Sequence, residues 1–226
     1  NFNLSGPLAG EALTMRLYGN INKTEPDAWD INHAQNGSYA AGREGVRNKD
    51  INALLSWKMT PQQILDFSYA YSRQGNIYAG DTQYSNGNLS PNGLVDSLYG
   101  HETNRLYRQS WGLTYNGLWD WGQSKAGVYY EKTNNTRLQE GSTGRVEGMI
   151  NSEDYATSRL ESWRTTSEFN VPFFWLADQT LTLGMEWNHD QLDDPASMQA
   201  TNSNGETIPG TSGDPTQRST KNSATL

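Results

Sequence analysis

The sequence predicts an all-β fold, an antiparallel up-and-down β-barrel of the membrane-spanning type. Three observations predict it. Apolar and polar residues alternate with a period of two through most of the chain. Short turns alternate with long polar connections. Aromatic residues are abundant in a polar chain: 226 residues include 8 Trp, 12 Tyr and 5 Phe, yet hydrophobic content is 34% and mean hydropathy is −0.82. A disordered acidic chain would lack the aromatics. A barrel that puts every second side chain into lipid keeps its mean hydropathy low.

The alternation locates the strands in order. Over 12–21, Leu13, Met15, Leu17 and Ile21 share one face and Thr14, Arg16, Tyr18 and Asn20 the other. Over 51–59, Ile51, Ala53, Leu55, Trp57 and Met59 oppose Asn52, Ser56 and Lys58, with Leu54 an exception. Over 64–74, Leu65, Phe67, Tyr69 and Tyr71 oppose Asp66, Ser68, Ala70, Ser72 and Gln74. Over 107–116, Trp111, Leu113 and Tyr115 oppose Arg108, Ser110, Gly112 and Thr114. Over 125–132, Ala126, Val128 and Tyr130 oppose Gly127, Tyr129 and Glu131. The run 160–171 is weaker, with Trp163, Phe169 and Val171 on one parity. The run 180–189 is clean, with Leu181, Leu183, Met185 and Trp187 against Thr182, Gly184, Glu186 and Asn188.

The connections alternate as well. Short turns are expected at 5–10, 60–63, 120–123 and 172–179, and long polar loops at 23–45, 76–104, 138–158 and 193–217. A membrane barrel has short periplasmic turns and long extracellular loops; a β-sandwich has no reason to alternate loop length. Trp57, Trp119, Trp121, Phe173, Phe174 and Trp175 stand near strand ends, as an interfacial aromatic girdle requires.

Composition excludes several functions. The net charge of −8, from 25 acidic and 17 basic residues, argues against a general nucleic-acid binder. There is no cysteine, which removes disulfides and thiolate metal sites. His33, His101 and His189 lack metal-ligand spacing, so no metal site is expected. The acidic stretch HDQLDD (189–194) reads as a solvated loop rather than a calcium site. GSTGRVEG (141–148) lacks the ending of a phosphate-binding loop, and no serine has a nucleophile-elbow context. Nothing points to catalysis, and no enzyme is expected.

The sharpest constellation lies around the connection between 71 and 111. Arg73, Tyr78, Arg105, Tyr107 and Arg108 stand at the base of a long Gly-, Asn- and Ser-rich stretch. Guanidinium forks and aromatic faces together suit an anionic, flat, aromatic ligand. By parity, Tyr78 follows Ser72, Arg108 follows Ser110, and Arg137 follows Tyr129 and Glu131, so three strands aim Arg or Tyr into one interior. An equally open reading is that these are lumen charges paired to Glu102, Asp81 or Glu131.

Five segments carry a family resemblance: AWDIN (28–32), AGREGV with NKDIN (41–52), YSRQGNIYAGDTQ (71–83), HETNRLYRQ (101–109) and QTLTLGMEWN (179–188). In this order they resemble the ferric enterobactin receptor group of the TonB-dependent outer-membrane siderophore receptors. The resemblance implies a fragment of a transmembrane barrel of about 22 strands, with about seven complete strands and two partial ones here. Residues 1–226 would form part of the barrel domain, the plug domain being absent. It implies capture and import of a ferric catecholate in the outer membrane of a Gram-negative bacterium. Iron would arrive within the siderophore, with no cofactor bound by the protein.

The residues matching the family's ligand positions are Tyr78, Arg105, Tyr107, Arg108 and Arg137, with Tyr130 at an aromatic position and Trp111 where a Tyr is familiar. The sequence departs from the family at LVDSLYG, where Asp96 replaces a basic character, and at SPNG (90–93). Implied partners are the siderophore, TonB through an N-terminal region, outer-membrane lipid, and colicins or phage. Two other classes stay open from the residues alone: a passive porin on the same scaffold, and a soluble β-sheet carbohydrate-binding or hydrolytic protein.

Overall fold

The computed structural model describes residues 1–27, 43–78, 100–140, 150–194 and 217–225. Nine strands lie among them: β1 (Phe2–Ala9), β2 (Leu13–Thr24), β3 (Gly45–Thr60), β4 (Gln63–Ile77), β5 (Glu102–Trp119), β6 (Gly122–Glu140), β7 (Ile150–Trp175), β8 (Ala177–Asp194) and β9 (Gln217–Thr225). They form a single sheet in sequence order, each antiparallel to the next. This is the up-and-down topology that the alternating loop lengths predict, and the sheet is not closed.

The register joins the apolar parities into one continuous face. Leu13 opposes Trp57, Trp57 opposes Leu65, Leu65 opposes Tyr115, and Tyr115 opposes Ala126. The polar face follows through Ser56, Asp66, Thr114, Gly127, Thr166 and Glu186. Leu54, the exception, sits on this polar face opposite Arg16 and Ser68.

No second layer covers the apolar face among the described residues. Only Ile77 and Tyr78 form a buried apolar core there, while Leu183 is 56% and Met185 55% exposed. Leucines left this bare in water forfeit roughly 1.5–3 kcal/mol each. The face therefore needs an apolar solvent. Between β2 and β8 every strand pairs on both sides, so the backbone there is satisfied strand to strand, as crossing lipid with strands requires. No helix of the described residues is long and apolar enough to cross a membrane, which says nothing of strands.

Three expected boundaries are corrected. The turn expected at 5–10 belongs mostly to β1, and the reversal falls between Ala9 and Leu13. Pro7 is tolerated because β1 pairs on one side only, with a register shift next to it. The turn expected at 172–179 is also strand. Pro172 pairs with Thr180 but lies past Asn170, the last β7 residue paired to β6, so its missing N–H interrupts no ladder on that side. The reversal is at Leu176, which has a positive φ of 65°. Finally, HDQLDD is not a loop. Residues 189–193 pair with both β7 and β9, so successive carboxylates point to opposite faces.

Candidate ligand-binding wall

Strands of 15 to 19 residues, as in β4 and β6, exceed the roughly 9–11 residues that cross a bilayer. Counted from the short turns, the ends nearer the long connections therefore stand above the lipid. The sequence-predicted residues all lie there or at the border, and the register separates them by face.

Arg108 is on the polar face. Its side chain is 57% exposed and is ion-paired to Glu131 at 2.5 Å. A second pair, Arg164 to Glu186 at 2.6 Å, lies lower on the same face. Glu186 also accepts a hydrogen bond from Asn188. Tyr129 lies between these pairs, its ring over Gly112 and Gly127, where an added Cβ would come within 2.9 and 2.5 Å of it. Its hydroxyl is 3.2 Å from Thr114 Oγ1. Arg137 is in β6 opposite Asn104 and Ala156, and its side chain lies outside the described residues. Tyr78 lies just past β4, its N–H donating to the His101 carbonyl, and is 4% exposed.

Arg105 and Tyr107 lie on the opposite face, in line with Trp111 and Leu113. A bulge puts a carboxylate among them. Asn76 pairs with Asn104 but Ile77 pairs with Glu102, leaving Thr103 as the extra residue. Glu102 is thereby turned onto the face of Arg73 and Arg105. It is ion-paired to Arg73, with Arg47 at 3.5 Å and Arg105 at 3.9 Å. The Arg73 guanidinium also lies 5.7 Å from the Tyr107 ring centroid. Gly75 makes the space: a Cβ there would meet the Glu102 carboxyl at 3.2 Å. Burial pushes the Glu102 carboxyl up, but the Arg73 hydrogen bond and the charges of Arg73, Arg47 and Arg105 outweigh it and hold it below the usual carboxylate range. The same hydrogen bond raises Arg73.

Trp111 and Tyr130 are also on this outer face. Their rings are 5.6 Å apart and both pack on Trp163, at 5.3 and 4.8 Å. Nearer the short turns Trp119 stacks on Trp121 at 6.2 Å, and Trp121 meets Phe169. The apolar face thus has an aromatic margin toward each end.

Of the ion pairs left open by the sequence, those to Glu102 and Glu131 both form, and Asp81 lies outside the described residues. Arg47 and Arg164 escaped the sequence reading. Parity alone could have found Arg164, beside Glu186 in the paired register. No group of carboxylates and imidazoles able to hold a metal exists among the described residues.

No family model matches the chain. Curated relatives do. It is 48% identical over 215 residues to the "Ferric enterobactin receptor PirA" of Pseudomonas aeruginosa, covering 93% of this chain and 29% of that protein. It is 47% identical over 221 residues to the "Ferrienterobactin receptor" of Escherichia coli, covering 91% of this chain and 29% of that one. A ferric enterobactin receptor mutant of Pseudomonas aeruginosa solved with enterobactin superposes with a TM-score of 0.78, at 45% identity, over 96% of this chain and 32% of the other. The sheet superposes on that of a solved receptor, and these relatives are named as receptors rather than enzymes. It is also 51% identical over 197 residues to the "Probable TonB-dependent siderophore receptor PirA" of Acinetobacter baumannii, covering 87% of this chain and 26% of that protein, and the chain belongs to the TonB-dependent siderophore receptors, in the ferric enterobactin receptor group. It spans about three-tenths of the length of the curated relatives it matches.

Proposed function

We propose that the protein carrying this wall binds and imports a ferric catecholate siderophore across the outer membrane of a Gram-negative bacterium, with energy supplied through TonB. Residues 1–226 are then one part of its barrel domain. The observation that carries the reading is Arg108 on the polar face above the lipid span, half exposed and already oriented by Glu131. Arg137 occupies the same strand parity as Glu131, and Tyr78 that of Ser72. A ferric tris-catecholate is a trianion with three aromatic rings, and guanidinium neutralises and stacks on such a ligand better than ammonium does.

The test uses the full receptor. Arg108→Ala with Arg137→Ala removes two charge-assisted contacts, so affinity for iron-labelled ferric enterobactin falls roughly tenfold to hundredfold. Arg105→Ala, on the other face, changes it less. Equilibrium binding on isolated outer membranes reads both. Undiminished affinity in the double variant would overturn the assignment.

A further inference from the structure

We propose that Leu160 and Leu192 are the apolar half of the ligand site, a shelf on the polar face that takes one catechol ring while Arg108 meets the charge. One register row carries Asp50, Ser72, Arg108, Thr133, Leu160 and Leu192 across β3 to β8. Leu160 and Leu192 lie directly opposite each other in β7 and β8, and each is 39% exposed. Leu160 comes 15 residues before Trp175, and Leu192 comes 15 residues after Ala177. That is past the roughly 9–11 residues that cross a bilayer, so water meets both faces of the wall there. A single bare leucine on such a face needs no explanation, but two in direct register make a patch. Thr133 and Ser219 flank them in the same row. Ser162 and Asp190 stand in the next row toward the lipid, with Lys221 opposite Asp190. A small apolar centre inside a polar rim is the anatomy of a binding hot spot.

The occupant follows from the row. Only Thr133 separates Leu160 from Arg108, so strands about 4.8 Å apart put the two positions roughly 10 Å from each other. A ligand that uses both must be anionic at one point and flat and apolar at another within that span. In a ferric catecholate each ring gives its two oxygens to iron and turns hydrocarbon faces outward. Packing such a face against leucine takes apolar area out of water. An iron complex without rings offers nothing to the leucines, so the shelf selects the ligand class while Arg108 selects its charge. The inference deepens the catecholate reading and rests on it.

The full receptor, purified in detergent, is titrated with iron-labelled ferric enterobactin, in competition with the ferric complex of a catechol that carries sulfonate groups on its ring. The wild type is expected to prefer ferric enterobactin, because a charged ring has no place on leucine. Leu160→Ser with Leu192→Ser should weaken ferric enterobactin roughly tenfold or more and narrow that preference. Leu160→Met with Leu192→Met should keep both affinity and preference. Leu118→Ser, on the polar face beside the β5–β6 turn, should leave affinity unchanged. The urea midpoint of each variant reports its folding. If the wild type does not bind ferric enterobactin, the catecholate reading fails and the shelf with it. If the wild type binds and the double serine variant binds as tightly, the shelf alone is overturned. It is also overturned if affinity falls together with the urea midpoint while the preference stays the same, since the leucines would then be holding the fold.

Discussion

Gly122→Ala is expected to block assembly of the wall at its β5–β6 turn. Gly122 follows Trp121 with a φ of +148°, and a Cβ there would lie 2.2 Å from the Asn170 carbonyl oxygen. That oxygen is backbone of the neighbouring strand β7, so relief requires the ladder itself to move. The combined strain is roughly 3 kcal/mol or more, a large part of a typical folding free energy. Gly10→Ala supplies the comparison. Gly10 also has a positive φ, of +56°, but nothing lies within 4 Å of the added atom, so only the left-handed backbone penalty of about 1–2 kcal/mol applies. Refolding of the full receptor into detergent, read by heat-modifiable mobility and the urea midpoint, should separate the two. Equal behaviour would show that the close approach to Asn170 does not limit folding.

Glu102→Gln is the second large effect. It leaves Arg73, only 12% exposed, without its carboxylate and removes the counter-charge for Arg47 and Arg105. Breaking a largely buried pair from one side costs several kcal/mol; Arg47 is half solvated, so about 2 kcal/mol is expected here. The pH dependence has a defined sign. The carboxyl is held below its ordinary value of 4.5, so the stabilisation is fully present above that value. It is lost as pH falls through the lowered one. The stability difference between wild type and variant should thus be constant near neutrality and shrink in the acid range. A difference that persists unchanged to pH 2 would mean that packing, not charge, is responsible.

Much of this was legible from residue order because a membrane wall has two solvents. Wherever one face meets lipid and the other water, period-two alternation is enforced, as in 64–74 and 180–189. Above the lipid both faces meet water and the signal fades. That is why β7 runs from Ile150 to Trp175 while only 160–171 alternated, and why the acidic end of β8 read as loop. Pro7 and Pro172 read as turns because proline breaks a ladder only where a ladder exists on its N–H side. The separation of Arg105 and Tyr107 from Arg108 follows from parity. The position of Glu102 does not. Its own parity puts it on the polar face, and only the unpaired Thr103 turns it outward among the arginines. A bulge of one residue leaves no compositional mark, so that cluster had to be seen in three dimensions.

The aromatic margins also give the wall an optical polarity. Trp57, Trp111, Trp119, Trp163, Trp175 and Trp187 share the strand parity of the apolar face, and Trp121 stacks beside Trp119. Emission from these seven indoles therefore reports on the bilayer and hardly at all on what passes through the lumen. Acyl chains brominated at successive depths should quench these indoles, with maxima toward the two headgroup regions, while iodide confined to the lumen should leave them bright. A receptor of this build carries its own depth gauge on its back.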